Sequence, residues 1–129
     1  MGYRSEVAYV ITFDTLETKQ EWVALAKLNT ETNEALKECR HVDDDKDYIS
    51  AYFSEVKWYE GYEDVDRHMK MLEDIGEAED GKVSARFLRV GESADDVEDN
   101  AYGDNGWEIE LYVSRTIDTT YDLGPTYRD

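Results

Sequence analysis

At 129 residues, with 40% hydrophobic and 12% aromatic side chains, the chain is long enough for one domain with a buried core and too apolar to be disordered. A formal net charge of −18 opposes direct nucleic-acid binding and adsorption to an anionic membrane, and favours a protein partner with a basic surface. The single cysteine, Cys39, excludes an intramolecular disulfide and fits a reducing, cytoplasmic setting. No apolar run approaches the ~20 residues of a membrane helix, and Met1-Gly2-Tyr3-Arg4-Ser5-Glu6 lacks the apolar core of a signal segment.

Residues 6–13 predict a strand. Val7, Tyr9, Ile11 and Phe13 share one face and Ala8 and Val10 are apolar on the other, the pattern of a central strand. Asp14-x-x-Glu17 reads as a capping box opening a helix with Trp22, Val23, Leu25 and Ala26 on its apolar side. A second helical stretch covers about 31–39. Asp43, Asp44, Asp45 and Asp47 mark an exposed loop. Residues 48–58 return to strand, with Tyr48, Tyr52, Val56 and Trp58 on one parity and Ile49, Ala51 and Phe53 on the other. Glu60-Gly61 is a turn, and 63–75 a helix with Val65, Met69, Leu72 and Ile75 at helical spacing and Gly76 as its C-cap. Asp80-Gly81 turns into a strand over 83–90; 91–106 is a long acidic loop; 107–117 is a last strand with Trp107, Ile109, Leu111 and Val113 on one face. Residues 118–129 read as an irregular tail.

The order β-α-β-α-β-β predicts a single acidic domain of the α+β class. Its architecture is a two-layer sandwich with a mixed four-stranded sheet, parallel where helices cross over, antiparallel in the last pair, and helices on one face. The other face, carrying Tyr and Glu, is expected to be a contact surface suited to self-association.

The recognisable chemistries are excluded one by one. Asp43-x-Asp45-x-Asp47 begins like a calcium loop, but Tyr48 stands where the sharp turn needs Gly and Ser54 where a bidentate Glu belongs. Cys39, His41 and His68 lack zinc-ligand spacing. Cys39 is expected as a small apolar residue facing the core, and His68 as a surface or boundary residue. There is no nucleophile elbow and no phosphate-binding glycine loop. The expectation is a non-enzymatic protein without metal or cofactor. Two contact features remain. The acidic loop 92–99 offers Asp95, Asp96, Glu98 and Asp99 to a basic partner. Trp58, Tyr59 and Tyr62 surround a turn, either stapling helix to sheet or forming an aromatic hot spot with an acidic rim.

Met1-Gly2-Tyr3-Arg4-Ser5-Glu6-Val7, Val56-Lys57-Trp58-Tyr59 followed by Tyr62-Glu63-Asp64-Val65, and Leu88-Arg89-Val90-Gly91-Glu92 with Asp95-Asp96 resemble, in the same order, small proteins of tailed bacteriophages and prophages. The resemblance implies an accessory protein in the host cytoplasm that binds and disables a host or defence protein. Residues 1–40 carry a net −2 and residues 41–129 a net −16, which places electrostatic recognition in the second part. A sharper version is DNA mimicry, with a carboxylate row imitating phosphates. The competing readings are a small metal-dependent enzyme using loop 92–99 and a self-associating structural module.

Overall fold

The structure, a computed structural model, describes residues 2–78, 80–93, 95–113, 117–119 and 121, with 117–119 described by backbone alone. In order run β1 (Ser5–Phe13), α1 (Leu16–Ala26), α2 (Thr30–Leu36), β2 (Tyr48–Val56), α3 (Glu63–Glu77), β3 (Val83–Val90), β4 (Val97–Tyr102), a 3-10 turn (Gly106–Glu108), β5 (Leu111–Val113) and β6 (Ile117–Thr119). Four strands form a sheet in the order β2-β1-β3-β4, and β5 pairs with β6 separately. The fold is an α+β sandwich.

The expected mixed pairing is corrected: every neighbouring pair in the large sheet is antiparallel. One helix returns a chain to the start of its strand, whereas the excursion through α1 and α2 returns it to the end where β1 finished. Thr12 lies opposite Tyr48, and the Phe13 amide donates to the Asp47 carbonyl at 3.2 Å. The α3 crossover does join strands of one direction, since β2 and β3 both run against β1. They flank β1 instead of touching, a split crossover.

β1 is central, as its two apolar faces require. On one side Val7, Tyr9, Ile11 and Phe13 pack with Val23 of α1, Ala35 and Leu36 of α2, and Met71, Leu72 and Ile75 of α3. On the other, Ala8 and Val10 pack with Leu88, Ile109 and Leu111. The second sheet face is therefore covered at its centre by the 3-10 turn and β5, where an open contact surface was expected.

The last expected strand, 107–117, divides. Trp107 sits in the 3-10 turn and is 64% exposed, while Ile109 and Leu111 are buried. Its hairpin place beside β3 is taken by β4, from within the expected acidic loop. Cross-strand charge pairing stabilises this edge strand. Arg89 faces Glu98 in register, and Arg86 forks onto Asp99 with Nε–Oδ1 3.1 Å and a second bond of 2.9 Å. The turn out of β4 needs glycine twice. Gly103 has φ +80°, and a Cβ on Gly106 would lie 2.7 Å from the Ala85 carbonyl. β6 replaces the first residues of the expected irregular tail, most of which lies outside the described residues.

Smaller corrections concern caps. Thr15, not Asp14, caps α1, its side chain accepting from the Thr18 amide at 3.0 Å. Asn29 caps α2 in the same way. Gly76 lies inside α3, which continues to Glu77. Leu25, expected on the apolar side of α1, is exposed.

That side of α1 instead buries Lys19, whose side chain is 1% exposed. Its ammonium donates to the carbonyls of His41, Asp44 (3.1 Å) and Lys46 (2.6 Å), and lies 3.3 Å from Asp44 Oδ1. The aspartate-rich loop thus folds around a cation belonging to the chain, and a divalent ion there would meet that positive charge. Desolvation pushes the Asp44 carboxyl up, but bonds from His41, the Lys46 amide and Lys19 outweigh it and lower it to about 2. Lys19→Met removes the ammonium and strands those carbonyls. It should lower unfolding free energy by roughly 2–3 kcal/mol, read as a reduced urea midpoint at unchanged slope.

Candidate functional site

The geometry of the site begins with a bulge. Along β2, Ile49, Ala51 and Phe53 face the helices, and strict alternation would turn Trp58 to the opposite side. Instead Glu55 takes φ +56°, and the register slips so that Val7 faces Phe53 while Ser5 faces Val56. One extra residue inverts the alternation. The Arg4 guanidinium secures the bulge by donating to the Glu55 carbonyl at 3.0 Å. Val56 and Trp58 consequently join the helix-side core. The Trp58 ring packs on Phe53, His68 and Phe87, with centroids 5.5, 5.7 and 6.2 Å away.

The half-buried Trp58 lines a cleft of about 510 Å³. Val65 and Met69 of α3 supply further apolar wall. The polar lining is Glu31 of α2, Glu60 of the turn, Asp66, Lys70 and Glu73 of α3, and Glu98 of β4, so carboxylates outnumber ammonium five to one. Lys70 reaches Asp74 at 3.4 Å, and Glu98 accepts from Arg89 Nε at 2.6 Å. Among the described residues no cation pairs with Glu31, Glu60 or Glu73.

The residues singled out from sequence are only partly gathered here. Trp58 and Glu98 meet in the cleft. Tyr59 and Tyr62 pack edge to face at 5.3 Å, and the Tyr59 hydroxyl donates to the Tyr3 carbonyl at 2.8 Å. Asp95 is exposed in the turn before β4. Asp96 accepts a fork from Arg89 (2.7 and 3.1 Å) and the Tyr3 hydroxyl (2.7 Å). The Arg89 bond, then that of Tyr3, holds the Asp96 carboxyl below its ordinary range. Asp99 bonds Arg86 on the opposite sheet face from Glu98, as adjacent strand residues must. The four acids therefore form no continuous row.

Sequence reasoning missed Glu31, Asp66 and Glu73 as cleft residues. The spacing of Asp66, Lys70 and Glu73 along one exposed side of α3 was a legible signal; the approach of Glu31 and Glu98 was not. It also misplaced His68, which is 1% exposed between the sheet and α2. His68 Nε2 lies 2.8 Å from Glu38 Oε1, and Nδ1 lies 2.6 Å from the Tyr9 hydroxyl. That hydroxyl is 3.1 Å from Cys39 Sγ, so Cys39, packed against the core as expected, also ends a buried polar chain. Burial pushes the Cys39 thiol up to about 12, the wrong direction for a nucleophile. Burial first, then Cys39 and Glu38, raises Tyr9 well above its usual value. Burial lowers His68 despite the opposing pull of Glu38.

Two measurements follow from these positions. Trp58→Ala should cost about 2–3 kcal/mol of stability, whereas exposed Tyr62→Ala should stay within about 0.5 kcal/mol. Equal losses would mean that the aromatic turn acts as one staple. For His68, the unfolded imidazole takes a proton near pH 6.5 and the folded one only lower. Stability present above that pH is therefore lost as pH falls through and below it. Between pH 7.5 and 5.5 the urea midpoint of wild type should drop more than that of His68→Gln; parallel curves would contradict the assignment.

No protein-family model, curated protein or solved structure matches this chain.

Proposed function

We propose that this chain is a non-enzymatic accessory protein, of the kind encoded by bacteriophages, that binds and inhibits a host or defence protein by receiving its basic side chains in the cleft over Trp58. The observation that carries the reading is the composition of that cleft, an indole beneath carboxylates of which Glu31, Glu60 and Glu73 have no cationic partner among the described residues. An arginine or lysine side chain gains there from the indole face and from charge-assisted hydrogen bonds. The volume lies within the ordinary range of ligand pockets, about 300–1,000 Å³, enough for one or two side chains. The overall charge of −18 raises the encounter rate with such a partner.

Two alternatives fit less well. A metal-dependent enzyme using loop 92–99 would need carboxylates that Arg89 and Arg86 already occupy. DNA mimicry needs a row, and Glu98 and Asp99 point to opposite faces. Where the protein acts is part of the same proposal; among the described residues no helix is long and apolar enough to cross a membrane.

The test is titration calorimetry with a hexa-arginine peptide at two salt concentrations. Glu60→Gln combined with Glu73→Gln should weaken binding by about five- to tenfold and flatten its salt dependence, since each lost contact charge is worth roughly 0.5–1 kcal/mol at an exposed site. Asp95→Asn, outside the cleft, should change affinity less than twofold. Equal effects from the cleft and Asp95 variants would reduce the acidic surface to a diffuse field.

A further inference from the structure

We infer that the protonation state of His68 gates this cleft, the neutral imidazole admitting a cationic side chain over Trp58 and the imidazolium repelling it. The inference rests on the cleft being the partner site and concerns its regulation. α3 sets the geometry. Val65 and Met69 line the cleft, while His68 between them turns inward and packs on the Trp58 ring that also lines the cleft, centroids 5.7 Å apart.

The surroundings of His68 are charged on few sides. Tyr9 reaches it from β1 and Glu38 from the segment after α2, where Cys39 in turn meets the Tyr9 hydroxyl. Asp64 and Arg67 of α3 act on it at longer range, with opposite signs. Phe53 and Trp58 close the remaining sides without charge.

This chain of groups can be satisfied in two ways, differing by one proton. With His68 neutral, Nε2–H donates to the Glu38 carboxylate, Nδ1 accepts from the Tyr9 hydroxyl, and the Tyr9 oxygen accepts from the Cys39 thiol. With a proton added at Nδ1, Nδ1–H donates to the Tyr9 oxygen, Tyr9 O–H turns to Cys39 Sγ, and the thiol donates to the Ala35 carbonyl, 3.5 Å from Sγ. No buried polar atom is orphaned in either arrangement, so protonation reverses the chain without breaking it. The added charge, however, stays behind the indole. A guest cation within about 6 Å of the Trp58 ring would be roughly 12 Å from His68. At an effective dielectric near 20 that repulsion corresponds to a loss of affinity of up to about tenfold, less at high salt.

The experiment measures hexa-arginine binding by calorimetry at fixed ionic strength from pH 7.5 to 5.5, where ordinary carboxylates stay ionised. Because burial holds the folded midpoint of His68 below its ordinary value, only part of that tenfold is realised by pH 5.5: wild type should lose affinity by up to about fivefold, and His68→Gln much less. By linkage, saturating peptide should lower the titration midpoint of His68 followed by NMR in the wild-type protein. That second reading stands even where the variant fails to fold. Equal pH dependence in wild type and His68→Gln, or a His68 midpoint that the peptide does not move, overturns the gate. If either occurs while Glu60→Gln with Glu73→Gln still weakens binding at pH 7.5, the cleft remains the partner site and only its gating is lost. If the peptide binds without regard to those glutamates, both fall.

Discussion

A strand apolar on both faces has to be covered twice, and that requirement of β1 arranges the molecule around it. Tyr9 and its odd-numbered neighbours call three helices to one side; Ala8 and Val10 call Ile109 and Leu111 to the other. Antiparallel partners on both edges satisfy its backbone. The Tyr9 hydroxyl, which this strand buries at the middle of the helix side, is answered from α3 by His68 and from the end of α2 by Cys39. A buried hydroxyl without a partner is costly, so this contact fixes where both helices sit against the sheet, and with them the walls of the cleft.

The charge of the chain is organised by its few arginines. Arg89 gathers Asp96, Glu98 and Ser5, and Arg86 gathers Asp99 and the Ile109 carbonyl while lying over the Trp107 ring at 5.1 Å. Planar guanidinium groups suit such multiple engagement. Their effect is to convert an acidic stretch into the edge strand β4 and to bind the N-terminal strand, the β3–β4 turn and the second sheet face together. What remains of the negative surplus is then spatially selected, and part of it converges on the half-buried indole.

A single irregular residue has comparable leverage. Without the bulge at Glu55, Trp58 would lie on the Tyr48 side of the sheet and the cleft would lose its floor. The same displacement brings the indole against His68, so one backbone feature joins a surface suited to cations with a buried group whose charge can change. Backbone irregularities at sheet edges commonly re-aim side chains in this manner.

Sequence by itself determined the α+β class, the central place of β1, the α3 face with Leu72 and Ile75 inward, and the strand Val83–Val90, because hydrophobic period and turn chemistry are local properties. It also determined the sign and asymmetry of the charge. It named Trp58 and Glu98 without any reason to join them. Strand direction depended on whether one helix or two intervened, and on β1 entering between β2 and β3, which is a matter of global chain path. β4 was invisible because its stabilising partners, Arg86 and Arg89, lie on another strand, and Val97–Tyr102 alone reads as a solvated acidic run. His68 looked like a boundary residue because its partners Tyr9 and Glu38 stand 59 and 30 positions away. The cleft was decided only in three dimensions, since a bulge of one residue reversed the parity on which any sequence reading of β2 must rely.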